Sequence, residues 1–371
     1  MSTQSYATSR GYNPSLEGLR AVAACGVLLT HTSFQSGMDP RSVMGGFLGR
    51  FDFFVALFFA LSAYLLARGD YRTRRSFYAK RFFRVVPAYV VCVATALIIL
   101  PANFDADPAA VIATFFFAQI YLPHGLLPGI THLWSMCVEV AFYLVFPFIP
   151  KRRLIIVGLA VLSLGWAFVP FPSGGPNWQI FPPAYACWFA VGLLAAGIQP
   201  TPSAEKWLRR RWIWWLCAAA ILFVAGQEFF GPLGLEHPSP LEFLRRVIAG
   251  AAFAAVVLVP YALAPGSAVL DSQLFRQLGT ISYSIFLWHV VVLELVFPLL
   301  GMRPFSGNFL LITAVTLALT LPVAYLSYHL VERPARGLWR WLPALARARR
   351  PRHRAAATAP QPARSAQRSA E

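Results

Sequence analysis

Residues 109–122, AAVIATFFFAQIYL, decide the fold, because whether they cross a bilayer sets the sidedness of everything that follows them. The question arises because the chain reads as a membrane protein. Of its 371 residues 57% are hydrophobic and only 13% charged, a balance far from that of soluble domains. Mean hydropathy is +0.57, and stretches of about 17–25 apolar residues, each long enough for a ~30 Å hydrocarbon core, recur along nearly the whole chain. Eleven candidates fall near 18–36, 45–67, 83–101, 109–122, 132–150, 153–170, 181–198, 212–230, 243–264, 278–300 and 309–330. The opening MSTQSYATSRGYNPS offers no small-residue cleavage site beyond an apolar core, so the first segment is expected to be retained.

The connectors settle the doubtful segment. The one at 67–84, ARGDYRTRRSFYAKRFFR, is the most basic and is expected in the cytoplasm, which places the amino terminus there too. The third segment then exits at the acidic PANFDADP. If 109–122 crossed, KRR at 151–153 would lie outside and every later connector would be inverted. If it is a re-entrant or interfacial piece, KRR and EKWLRRR (205–211) fall inside, QEFFGPLGLEHPSPLE (227–242) outside, and the arginine-rich tail inside. The expected fold is therefore an all-α integral membrane protein with ten transmembrane helices plus one re-entrant or interfacial segment. Both termini are expected in the cytoplasm, the host being the inner (plasma) membrane. Residues 1–15 form a cytoplasmic segment, 16–335 the membrane domain, and 336–371 a basic, largely disordered tail whose first part can lie on anionic headgroups.

The net charge of +17 does not point to nucleic acid, because the basic residues sit between spans and in the tail instead of forming one stripe with aromatic stacking platforms. Cys25, Cys92, Cys137, Cys187 and Cys217 form no C-x-x-C pair, lie in apolar runs and read as inert packing residues; no metal is expected.

Polar residues inside apolar runs carry the chemistry, since each is costly there unless it has a task or a partner. In LEGLRAVAACGVLLTH (16–31), Arg20 and His31 are eleven positions apart, about 20° beyond three full helical turns, so they share a face. A rise of ~1.5 Å per residue puts His31 about 16 Å above Arg20, near mid-bilayer. Taken alone, Arg20 snorkelling to headgroups and His31 bonded to a neighbouring helix fit equally well. In THLWSMCVEVAFYLVFP, His132, Ser135 and Glu139 share a face, and Glu139 falls near the level of His31. A structural pair and a general base, or an orienter of His31, both remain open for it. LGTISYSIFLWHVVVLELV brings Ser282, Tyr283, Ser284 and His289 into a helix rising from the cytoplasm, with His289 again near the middle. Independent helices converging polar groups on one depth suggest a buried site. Arg81 and Arg84, one turn apart at the cytoplasmic mouth of the third helix, fit either topology or forked binding of phosphate.

Taken together, these pieces resemble the acyltransferase-3 family, membrane acyltransferases that O-acylate carbohydrates and other envelope or secreted molecules. The matching stretches are EGLRAVAACGVLLTH, FFVALFFALSAYLL, RFFRVVPAY, HLWSMCVEVAFY, SYSIFLWH and VERP, in family order over residues 16–334. The departure is FFALSAYLL, where the family usually has Ser-Gly; Ala63 follows Ser62, which puts in question a close backbone approach in the second helix. The resemblance covers the acyltransferase domain only.

The resemblance implies a cytoplasmic acyl-CoA co-substrate, most often acetyl-CoA, and an acceptor hydroxyl on a cell-envelope glycolipid, glycan or other sugar-containing molecule. On it, His31, Glu139 and Ser135 are the expected catalytic residues. Arg20, Arg81 and Arg84 would hold coenzyme A, and His132, Trp134, Tyr283, Ser284 and His289 would support the substrates. The expected partners are acyl-CoA, the sugar acceptor and membrane lipids. The alternative is a transporter or flippase using the same intramembrane His, Arg and Glu residues; no inverted repeat or matched pair of Gly/Pro-broken helices favours it. The H-x-x-x-x-D pattern of glycerolipid acyltransferases is absent.

Overall fold

A computed structural model describes residues 12–338 apart from 70, 72, 171–173 and 235. The expected cytoplasmic start and disordered tail fall, at 1–11 and 339–371, outside the described residues. Among the described residues every regular element is helical. That is the physical solution for long apolar segments, since a helix satisfies its own backbone donors and acceptors where lipid offers none.

Helices stand at all ten stretches read as spans. Six are long and apolar enough to cross a bilayer: Val43–Arg68 (α2), Arg74–Ile99 (α3), Thr131–Phe148 (α5), Pro240–Leu263 (α10), Ser282–Leu299 (α12) and Phe309–Leu338 (α13). Three are apolar but shorter: Arg153–Phe168 (α6), Pro182–Ala196 (α7) and Arg211–Ala225 (α9). The tenth, Pro14–Gln35 (α1), has 22 residues, about 33 Å of rise, and carries Glu17, Arg20 and His31 among its apolar positions. Two short helices, Pro202–Leu208 (α8) and Gln273–Thr280 (α11), join this set.

The deciding stretch forms no continuous helix. Pro108–Phe115 (α4) has eight residues, about 12 Å of rise, well short of a hydrocarbon core. The chain leaves it where Phe117 takes a left-handed φ of 57°, then makes a tight turn at Gln119–Tyr121. Contacts with α3 hold it there: the Tyr89 hydroxyl donates to the Thr114 carbonyl (2.8 Å), and the Tyr89 and Phe117 rings stack at 4.0 Å.

One expected boundary is corrected. The apolar run 278–300 is not one helix, because the chain turns at Ile281 and residues up to Thr280 belong to α11. Arg336 lies inside α13 and pairs with Glu332.

α1 and α12 form the centre of the bundle. α1 packs against α2, α11, α12 and α13, and α12 is buried at every residue from Ser282 to Leu293. Small residues set the approach. A Cβ on Gly279 would lie 2.0 Å from the Glu17 carbonyl oxygen, and one on Gly18 2.4 Å from that of Leu270, so α11 and the turn before it clamp the start of α1. The close approach questioned for α2 is present, with its glycine on the other helix: a Cβ on Gly192 of α7 would lie 2.0 Å from the Ala60 carbonyl oxygen, while Ala63 is fully buried. All five cysteines are free thiols.

Candidate functional site

Five helices enclose a cavity of about 270 Å³. α1 contributes Glu17 and Arg20, α2 Phe59 and Ser62, α3 Arg81 and Arg84, α5 Ser135, Glu139 and Tyr143, and α12 Tyr283 and Phe286. Six residues expected at the site from sequence thus line one space. Tyr143 lies four residues after Glu139, one turn along the same face. Its hydroxyl and that of Ser62 both donate to Glu139 Oε1 at 2.5 Å. The cations face this acid. Arg81 lies 5.8 Å above the Tyr143 ring centroid, and Arg84 interacts electrostatically with Tyr143, Glu332, Glu17 and Glu139. Arg20 Nε donates to Ser282 Oγ (3.2 Å), which donates in turn to the Gly279 carbonyl (2.7 Å); the arginine is thereby fixed by the turn that ends α11. Tyr283 is held by its hydroxyl bond to the Val85 carbonyl of α3 (2.9 Å).

The three histidines gather behind Phe286 and Ser135, which line this cavity. Ring centroids are 5.2 Å apart for His31 and His289, 6.0 Å for His31 and His132, and 4.8 Å for His132 and His289. Among the described residues no group of three such side chains offers a metal-binding arrangement. The backbone carbonyl of Phe286 organises the cluster. It accepts from His132 Nε2 (3.0 Å) and from His289 Nδ1 (2.7 Å), so each imidazole carries its proton on that nitrogen. As neutral rings they keep bare acceptors at His132 Nδ1 and His289 Nε2, both buried and without a partner among the described residues. Phe286 also lines the cavity, and Ser135, another lining residue, donates to the His132 carbonyl (3.1 Å). Cavity and histidine cluster therefore share a wall.

The structure does not bring together everything the sequence suggested. Glu139 is not His31's partner: its hydrogen bonds come from Ser62 and Tyr143, and the contacts of the His31 ring are with the other two histidines. Trp134 faces away from the cavity and packs on Tyr185 at 5.2 Å. Ser284 is bonded to Glu332 (3.0 Å) instead of lining the site. Conversely, Glu17, Ser62, Tyr143 and Glu332 belong to the site's electrostatic frame and were not named as site residues from the sequence. Glu332 sits in the VERP stretch, in a π-helical turn (Tyr328–Glu332) that sets it against α3, Ser284 and Arg336. Tyr143 was signalled by its spacing from Glu139; Ser62 had no signal beyond its place in the departing FFALSAYLL.

Comparison with known proteins agrees with this arrangement. A family model described as an acyltransferase domain matches residues 13–329. The peptidoglycan O-acetyltransferase OatA of Listeria monocytogenes is 26% identical, over 88% of this chain and 56% of its own length. The O-acetyltransferase OatA of Staphylococcus aureus is 25% identical, over 88% of this chain and 57% of its own. The chain thus spans a little over half the length of the curated relatives it matches. No solved structure matches it. The matched domain takes in every residue of the cavity and of the histidine cluster: the chain belongs to the acyltransferase-3 family.

Proposed function

We propose that this protein is a membrane O-acetyltransferase that moves an acetyl group from cytoplasmic acetyl-CoA to a sugar hydroxyl of a cell-envelope glycan or glycolipid. The observation that carries the reading is the junction of two unlike environments on α1 and α12, an arginine-walled cavity and a packed trio of imidazoles about 16 Å of helix rise away. In this reading α1, α2, α3, α5, α6, α7, α9, α10, α12 and α13 cross the plasma membrane and α4 does not. An even count returns both termini to the cytoplasm, and the basic connectors fall on that side.

Arg20, Arg81 and Arg84 then sit at the cytoplasmic mouth, where guanidinium forks suit the phosphates of coenzyme A. The pantetheine arm enters the cavity past Glu139 and Tyr143 and presents its thioester beside Ser135 and Phe286. His31 takes the proton of the acceptor hydroxyl as that oxygen attacks the acyl carbon. A C–O bond forms, the C–S bond breaks, and the proton passes from His31 to the departing thiolate, so no further reagent is needed. The Ser135 and Tyr283 hydroxyls line the cavity and, on turning from the His132 and Val85 carbonyls they bond at rest, can steady the charge that develops on the acyl oxygen. His132 and His289, fixed by the Phe286 carbonyl, pack against the third imidazole and limit its orientation. The relatives' names support the acetyl group and a carbohydrate acceptor.

The test uses inverted membrane vesicles carrying wild type or His31→Ala, given acetyl-labelled acetyl-CoA and host envelope extract. Label should enter one envelope fraction with wild type and fall about 10²- to 10⁴-fold with His31→Ala, the range of a general base. Equal labelling by the two, at equal protein level, would overturn the role of His31. No labelling by well-expressed wild type, offered several acyl-CoA donors, would return the protein to the transporter class.

A further inference from the structure

The polar track between α1 and α12 does not end at the histidines. Arg20 bonds Ser282 at one end and His31 meets His289 in the middle. At the far end the Gln35 carboxamide donates to Glu294 Oε1 at 2.8 Å. Gln35 follows His31 by one helical turn, Glu294 lies five residues after His289, and Gly129 precedes His132 by three. A Cβ on Gly129, whose φ is +71°, would lie 3.2 Å from Glu294 Cγ. The three elements that deliver the histidines therefore also deliver the next layer, on the side away from the arginines.

This layer is built and incompletely partnered. Backbone bonds to Gln35 and Ser36 from Phe305 (2.7 Å) and Gly307 (2.8 Å) fix the end of α1. Asn103 fixes the loop before α5 through the Pro128 carbonyl (3.1 Å). Within this frame Gln35 Oε1 is buried without a partner among the described residues. Glu294 is half-buried and accepts only from Gln35 among them. His31 is itself half-buried while His132 and His289 are closed off, yet it does not line the arginine cavity. Gln35 stands one helical turn beyond it on α1.

We infer that Gln35 and Glu294 form the acceptor site of the enzyme, a carboxamide–carboxylate pair that binds neighbouring hydroxyls of a sugar from the extracytoplasmic side and sets one of them against His31. Two unfilled acceptor oxygens one turn from the imidazole suit a ligand rich in O–H donors, and burial strengthens such bonds. The cytoplasmic cavity and this mouth then approach the same histidines from opposite faces of the membrane. The inference rests on acyl transfer at His31, and its test separates the two.

In the first arm, acetyl transfer to N-acetylglucosamine tetrasaccharide is followed with detergent-solubilised wild type, Gln35→Ala, Glu294→Ala or Glu294→Gln, so that both co-substrates reach the protein. The alanine variants should raise the KM for the oligosaccharide about tenfold or more, as loss of a hydrogen bond to a charged group does, and leave the KM for acetyl-CoA within about twofold. Glu294→Gln, which keeps a hydrogen-bonding head, should recover part of the loss. A merely structural tie would move both KM values or the protein level. In the second arm, Glu294→Cys is treated in intact cells with a membrane-impermeant maleimide, against the wild-type background of native thiols. Labelling from outside, slowed by the added oligosaccharide, is expected. Wild-type oligosaccharide KM in Glu294→Ala, or a Glu294→Cys thiol that never labels from outside, would overturn the inference. If wild type transfers no acetyl group at all, the acyltransfer reading fails, while maleimide access and sugar protection still decide whether the mouth exists.

Discussion

Helix α5 separates two cavities of opposite character. On one face Ser135, Glu139 and Tyr143 enter the arginine-walled space of about 270 Å³. On the other Val138, Phe142 and Val145 enter a groove of about 470 Å³ between α5, α6 and α7, lined almost wholly by hydrocarbon. A stack of three rings divides them: Phe59 on Phe189 at 4.5 Å and Phe189 on Phe142 at 4.1 Å. The roomier space is the one without chemistry. In a membrane an apolar recess is an ordinary place for lipid tails, whereas polar groups drawn from five helices into one space each carry a desolvation cost that only mutual partnering offsets. Convergence of costly groups, and not volume, locates the site.

The sharpest way to break this contrast is to remove the acid at the centre of the polar cavity. Glu139→Gln keeps the size and one acceptor oxygen of the side chain and deletes its charge, leaving Arg81 and Arg84 with one anion fewer. Acetyl transfer by this variant should fall about 10²-fold at normal protein level. Wild-type turnover would mean that Glu139 is only a structural acceptor for Ser62 and Tyr143. Arg81→Ala should act more weakly and differently. Arg81 Nε is buried without a partner among the described residues, so its loss strands no neighbour. The KM for acetyl-CoA should rise about tenfold with little change in kcat, and high salt should blunt the difference between variant and wild type.

How much of this contrast the sequence discloses follows from what one-dimensional spacing can express. Helical rise puts His31 and His289 at one depth, and the two rings lie 5.2 Å apart; helical period put Arg20 and His31 on one face, yet Arg20 lines the cavity and His31 does not. Connector charges argued that 109–122 does not cross, and an eight-residue helix stands there. Spacing within a helix says nothing about which neighbour a side chain meets, so Ser62 from α2 replaced His31 as the partner of Glu139. A backbone carbonyl has no residue signature, and the Phe286 oxygen that orients two imidazoles was invisible. Trp134 and Ser284 entered the expected site through motif membership; packing assigns them instead to Tyr185 and Glu332. The break at Ile281 is hidden because Gly279, Thr280 and Ile281 continue the apolar run without a charge to mark the turn.

The smallest expected effect lies across the ring stack. Ala160 of α6 faces the apolar groove, and Ala160→Leu adds hydrocarbon to a space already bounded by hydrocarbon. Side-chain contacts then replace lipid contacts of similar energy, since lipid tails are as apolar as leucine. Transfer activity and both KM values should stay within about twofold of wild type, as for substitutions remote from any paired polar group. A tenfold fall at normal protein level, confined to lipid-linked acceptors and absent with a soluble oligosaccharide, would break the comparison. It would make the groove the berth of the acceptor's tail, and the Phe59, Phe189 and Phe142 stack the partition between the tail and the chemistry its headgroup undergoes.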